Sequence, residues 1–288
     1  PGGSIDIWVP GPLADLEQRD IEHVKIPDPL WDNYFGLSRY QISDPLPNTV
    51  YRINQTFWFD RYEVETKIST AKVGRTYDTN SKLYRVFTSP SDQIPSEDES
   101  ILSAARSAVG REQNPYLQAR GIYLYLLKQL VYSAKPEGKT ILENFVAASA
   151  DSYGFTMLFT AMARAAAIPA RPVAGFIIYG ERNAKIHYWA EFYIPDFGWV
   201  PVDLALGDGA RFDVYPEIEE PQEYFFGNVD SHHIAFTKGV VEVKSLLPGA
   251  KIIQYDKIFS LQTIHEEASS SVQSYLSSWS DLQVIDIW

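Results

Sequence analysis

The sequence predicts an α+β fold, and three observations carry that prediction. Residues 1–90 hold short alternating or apolar stretches broken by proline, glycine, asparagine and aspartate clusters. Residues 97–168 carry helix caps and apolar positions at three- and four-residue spacing. Residues 171–202 then return to strand-like runs separated by turns. Hydrophobic content of 45% and aromatic content of 14% suffice for a well-filled core, and 288 residues suit one core domain with a smaller attached layer.

In the first region the strand-like stretches are Ile5–Val9, Val50–Ile53, Thr56–Phe59, Glu63–Ile68 and Leu83–Phe87. Pro10-Gly11-Pro12 and Pro27-Asp28-Pro29 exclude long helices there, because proline removes a helical hydrogen bond and clashes with the preceding turn. Ser96-Glu97-Asp98-Glu99 has the form of a capping box, with Gly110 as the stop, which predicts a helix over 97–109. Asn114-Pro115 reads as an N-cap followed by a proline at the first helical position. It opens a helix with Ala119, Ile122, Leu126, Leu127 and Leu130 on one face. Thr140 and Glu143 form a second capping box before a short helix ending near Ala148.

A further helix begins at Ser152 or one residue earlier, buries Met157, Leu158, Ala161, Met162 and Ala165, and stops at Ile168-Pro169. Strands are expected over 171–179, 186–194 and 199–202, with turns at 180–183 and 195–198. Strand-like sequence returns at His233–Thr237 and Val240–Val243, after an acidic stretch from Glu217 to Glu223 that reads as a solvated loop at a cleft edge. This gives three regions: 1–90, β-rich; 91–237, the core; and 238–288, an extension whose structure the pattern does not define.

The net charge of −12 argues against nucleic acid as a partner, since a phosphate backbone requires a Lys/Arg-rich face. No apolar run approaches the roughly 20 residues of a membrane-spanning helix. There is no cysteine, so disulfides, thiolate metal sites and a thiol nucleophile are excluded. The chain begins at Pro1, which leaves room for a removed start region such as a signal peptide; an extracytoplasmic setting (secreted, periplasmic or surface) is the favoured expectation.

Ser152, His187 and Asp203 are the constellation that could carry chemistry. A serine at a helix start lies among backbone N–H groups that lack intrahelical partners, at the positive end of the helix dipole. A developing anion there meets donors already in place. His187 and Asp203 fall on two strands of one expected hairpin, as a base and its orienting carboxylate would. If Ile194 pairs with Trp199, however, Asp203 points to the opposite sheet face from His187. A one-residue bulge is then required, and Pro201 is the natural place for it. Taken alone, the trio has an ordinary reading: a helix cap, a packed histidine and a turn-forming aspartate.

The surrounding residues add more. The segment 150–159, Ala-Asp-Ser-Tyr-Gly-Phe-Thr-Met-Leu-Phe, with Ala161–Arg164 and Ile168-Pro169-Ala170-Arg171, closely resembles the transglutaminase-like superfamily. So do His187-Tyr188-Trp189-Ala190-Glu191-Phe192 and Gly198-Trp199-Val200-Pro201-Val202-Asp203. Weaker likeness covers Ile7-Trp8-Val9-Pro10 with Gln18, Asn114-Pro115-Tyr116 and Phe226–Asp230, so the resemblance spans 5–237. It implies a papain-like α+β core in which a nucleophile helix packs on an antiparallel sheet. The implied activity is acyl transfer between glutamine and amines, or amide or peptide hydrolysis, on a peptide or protein partner and without a cofactor or metal. Carried over, Ser152 takes the place of the nucleophilic cysteine, His187 that of the base and Asp203 that of the orienter. The Ser152 N–H becomes an oxyanion donor. Trp189, on the predicted strand face of His187, either walls a substrate cleft together with Tyr153 or is a core aromatic.

The chain departs from the family pattern where cysteine becomes Ser152, and more mildly at Ala150 and Ala167, which stand for glycines. A hydroxyl stays protonated where a thiol would ionise. Three readings stay open: a non-catalytic relative that keeps its cleft for binding, a serine variant, natural or engineered, of an active enzyme, or a working serine nucleophile. Among the remaining candidates, Glu191 could tune the imidazole or be a satisfied carboxylate. Arg164 and Arg171 suit ion pairs or helix capping. His232-His233 reads as structural, since neighbours in a strand point to opposite faces.

Overall fold

The structure, a computed structural model, describes residues 2–32, 36–240, 245–247, 249–252 and 264–288. Its N-terminal part is strand-rich. β1 (Ser4–Pro10), β2 (Gln18–Ile26), β3 (Trp31–Asp32), β4 (Leu37–Ser43), β5 (Asn54–Arg61) and β6 (Val64–Glu65) precede the first α-helix. The helices are α1 (Lys82–Thr88), α2 (Glu99–Val109), α3 (Pro115–Gln129), α4 (Ile141–Val146) and α5 (Ser152–Ala165), with the short strands β7 (Val131–Tyr132) and β8 (Ser149–Ala150) between them. β9 (Ala170–Tyr179), β10 (Asn183–Ile194) and β11 (Gly198–Val202) follow, then α6 (Leu204–Gly207), α7 (Pro221–Tyr224), β12 (Asn228–Val229) and β13 (His233–Lys238). β14 (Lys251–Ile252) and β15 (His265–Ala268) complete the set.

Several local signals act as the sequence suggests. The Asn114 side chain accepts from the N–H groups of Tyr116 and Leu117. Thr140 and Glu143 cap α4 reciprocally. Others differ. The cap of α2 is Asp98 rather than Ser96, so the helix starts two residues later than the box pattern places it. The run Leu83–Phe87 is helical, not extended: Ser81 accepts from the Tyr84 N–H and nucleates α1. A five-residue apolar run has too few turns for its period to distinguish helix from strand. Val50–Ile53 forms no strand, and β2 and β4 form where no strand-like stretch was recognised. Most of the Val240–Val243 stretch lies outside the described residues.

The core sheet has the order β11-β10-β9-β13, antiparallel throughout. α5 is buried along nearly its whole length and packs on the β10 face that carries Tyr188 and Phe192, with Phe159 and Phe192 rings 6.0 Å apart. The chain leaves α5 through Ala167, whose φ of 61° lies in the left-handed region. The Ala167 N–H donates to the Arg164 carbonyl, and the Ile168 N–H to that of Ala163. This is the C-terminal capping motif in which glycine is usual.

The second sheet, β14-β15-β1-β4-β3, joins the two ends of the chain: Ile5 pairs with Ala268 and Trp8 with His265. β14 and β15 therefore share a layer with β1, β3 and β4. Gln18 fastens this part to the core, donating to the carbonyls of Leu13 and Ala235 at 2.8 Å and accepting from the Ala235 N–H at 3.0 Å.

Candidate active site

The β10–β11 hairpin decides whether histidine and aspartate can meet. Its turn is one residue shorter than the pattern suggests, since Ile194 pairs with Gly198 and Tyr193 with Trp199. Asp196 (φ 70°) and Gly198 (φ 97°) take up the reversal, and the Phe197 N–H closes it on the Ile194 carbonyl at 3.2 Å. In this register Asp203 follows directly on a regular ladder and shares a face with His187. The bulge expected at Pro201 is absent; Pro201 pairs in step with Glu191. The parity problem came from a one-residue error in the turn, and turn geometry sets register.

Beyond the Ala190–Val202 pair β11 ends, and the chain bends into α6 with Asp203 as its N-cap, Oδ1 accepting from the Leu206 N–H at 3.0 Å. The other carboxylate oxygen, Oδ2, lies 2.5 Å from Nε2 of His187. His187 is 1% exposed and Asp203 0%. Burial alone would raise the Asp203 carboxyl, but the His187 and His233 imidazoles outweigh it and hold the group well below the usual carboxylate range. An ionised Asp203 can only accept, so the contact is a hydrogen bond donated by His187 Nε2, which leaves Nδ1 free of Asp203.

Ser152 is the first residue of α5. Asp151 caps the helix, its carboxylate accepting from the Gly154 N–H at 2.8 Å, and the Ser152 N–H has no intrahelical acceptor by position. The serine is 8% exposed. The rings of the next residues along each element, Tyr153 and Tyr188, meet edge-to-face at 5.2 Å, and α5 also touches α6. Among the described residues no hydrogen bond joins Ser152 to His187. The structure thus pairs His187 with Asp203 and ties the start of the serine helix to the strand that carries the histidine.

Tyr153 is partly buried, and burial pushes its hydroxyl up to about 12. Trp189 does not wall a cleft. It is 2% exposed and lies in a small core with Val173, Val229 and Ala235, stacked 6.4 Å from His187 and edge-on to His233 at 5.1 Å. Gly175 is the strand partner of His187, and the room it leaves matters. A Cβ there would lie 1.8 Å from the Ile234 carbonyl oxygen and 2.9 Å from the Trp189 ring. Glu191 is ion-paired with Arg171 at 2.6 Å and Lys238 at 2.8 Å; these cations outweigh burial and hold it down to about 2. Arg164 clamps the carbonyls of Ala170 and Ser89.

His233, read from sequence as structural, reaches the site. Its Nε2 is 3.0 Å from Asp203 Oδ2 and its Nδ1 2.9 Å from Asp230 Oδ1. Tyr215 donates to the other oxygen of Asp230. His232, in the turn before β13, is partly exposed, and its Nδ1 lies 3.7 Å from Asp230 Oδ1. His187, Asp203 and His233 bring three ligand-type atoms within 4.8 Å of one another. Those atoms already face each other at hydrogen-bond distances, so the cluster is a proton-linked chain.

Residues 103–204 match the family model of the transglutaminase-like superfamily. Over that segment, about a third of the chain, it is similar to transglutaminase-like domains. The segment contains Ser152, His187 and Asp203 and ends just after the aspartate, so Asp230 and His233 lie outside it. A curated relative, an uncharacterised protein of Haemophilus influenzae, is 28% identical over 160 residues, covering 44% of this chain. The alignment spans 43% of that relative, less than half its length. The crystal structure of a candidate cysteine protease from Cytophaga hutchinsonii aligns over 98% of this chain and 91% of its own, with a TM-score of 0.58 and 16% identity. The periplasmic domain of TgpA from Pseudomonas aeruginosa aligns over 69% of this chain and 68% of its own, with a TM-score of 0.41 and 18% identity. The fold is α+β and papain-like, with a strand-rich N-terminal region, and the chain contains no cysteine.

Proposed function

We propose that this transglutaminase-like protein binds a peptide or glutamine-like amide at the start of α5, and that Ser152, His187 and Asp203 hold the positions of nucleophile, base and orienter. The single observation carrying this reading is the buried 2.5 Å contact between His187 Nε2 and Asp203 Oδ2. A histidine so held presents Nδ1 to a nucleophile and can return the proton to a leaving amine. The Ser152 N–H, at the positive end of α5, suits an acyl oxyanion. Catalytic hydrogen bonds are often long in ligand-free states and tighten around substrate.

The serine impairs acyl transfer. A thiol can give up its proton before attack, whereas a hydroxyl must lose it during attack, and no hydrogen bond from Ser152 to His187 is in place to receive it. Restoring the family residue is the test. S152C is expected to incorporate a labelled amine into a glutamine peptide or to release ammonia from it, and S152C/H187A is expected to be inactive. Absence of turnover on amides and peptides in a folded S152C protein would leave a binding module. The intact His187–Asp203 pair also suits a working serine, for which the observable is covalent fluorophosphonate labelling of the unaltered chain at Ser152.

A further inference from the structure

His233 faces carboxylates at both ring nitrogens, Asp203 at 3.0 Å and Asp230 at 2.9 Å. Both carboxyls are held well below the usual range, Asp230 at about 2, because neighbouring imidazoles outweigh the burial that would raise them. An ionised carboxylate only accepts hydrogen bonds, so both His233 nitrogens must donate and the ring must carry two protons. The ring is completely buried. Its other polar neighbours are Tyr215, which donates to Asp230, and Arg61, whose Nε donates to the His233 carbonyl at 2.5 Å; Trp189 and Phe225 close the apolar sides. The His233 and His187 rings are 5.7 Å apart.

We propose that His233 is a positioning residue for this site: an imidazolium strung between Asp230 and Asp203 that fixes the Asp203 carboxylate toward His187 and offsets the charge His187 meets. This deepens the reading of the triad and rests on it for its catalytic meaning. Asp203 then orients His187 without locking it into a full ion pair, so the ring remains available as a base. The device is spread over three elements. Asp203 caps α6, Asp230 precedes β13, and β13 reaches the site by pairing with β9, where His233 stands opposite Ile177.

The test follows the five histidines by long-range proton–nitrogen NMR on the 15N-labelled full chain, assigned by single substitutions. In the unaltered protein both His233 nitrogens are expected to be protonated at pH 7 and to remain so until about pH 9. In H233Q, Asp203 Oδ2 keeps only His187 as a ring donor, and the His187 Nε2 proton signal at pH 7 is expected to move downfield as that hydrogen bond strengthens. A buried histidine with only a packing role would lower stability and leave that signal in place. An unprotonated His233 nitrogen at pH 7, or a folded H233Q in which the His187 Nε2 proton signal is unchanged, would overturn the proposal. If H233Q does not fold, the spectrum of the unaltered protein decides. These signals need no turnover. An inert S152C chain with the His187 change present would therefore sink the acyl-transfer reading alone.

Discussion

The charge on His233 ties stability to pH in a window where few other groups titrate. Burial alone would lower the His233 imidazole, but Asp230 and Asp203 outweigh it and raise the group from 6.5 to about 9. A group raised on folding stabilises the native state fully below its unfolded value, and that contribution disappears as pH climbs through its folded value. The stabilisation is therefore complete at pH 6 and lost by pH 10. A rise from 6.5 to about 9, at about 1.4 kcal/mol per pH unit, is worth about 3 kcal/mol. Urea unfolding at pH 6, 8 and 10 measures it. The unaltered chain should lose about 3 kcal/mol across that range, and H233Q, which starts less stable, should lose far less. Equal pH dependence of the two proteins would refute the reasoning, because it would place the titrating group elsewhere.

Three further outcomes follow from packing and charge. A167G should stabilise the protein by about 1 kcal/mol in urea unfolding, since glycine accepts the φ of 61° without the steric cost alanine bears. G175A should cost about 3 kcal/mol or more in thermal unfolding and disturb the His187 NMR signals. Its Cβ meets the Ile234 carbonyl at 1.8 Å, and backbone must move. K238M should cost about 3–5 kcal/mol in urea unfolding, because it leaves Asp15, Glu17 and Glu191 facing one another without their shared cation, and K238M/E191Q should regain part of the loss.

The parts of this fold written in short-range chemistry were legible in the sequence. Asn114-Pro115 and Thr140 with Glu143 mark helix starts through side chains that reach only two or three residues. The buried face of α5 and the strands β9 to β11 declare themselves by their periods. His187 and Asp203 stand out through motifs contiguous in sequence, and the structure brings these two side chains together. What failed depended on a single dihedral or on distant pairing. The register of β10 on β11 turned on the positive φ of Asp196 and Gly198, and a count one residue off exchanged the two sheet faces. His233 could not be placed beside Asp203 from sequence, because 30 residues separate them and long-range pairing, that of β13 with β9 among it, brings them together. The pairing of β15 with β1 spans nearly the whole chain. Sequence alone leaves Trp189 between cleft wall and core aromatic, because a strand face does not say which side of the sheet is covered; here β13 and Val229 cover it.

The most direct test of the central claim, that the start of α5 faces an imidazole steered by Asp203, is the rate at which iodoacetamide alkylates a cysteine placed at position 152. At pH 6.5 an isolated thiol is about 1% ionised. In S152C the helix terminus and His187 should raise alkylation at least tenfold over a free thiol, and S152C/H187A should lose most of that gain. Alkylation of S152C at the free-thiol rate, unchanged by H187A, would show that serine and histidine do not share a site.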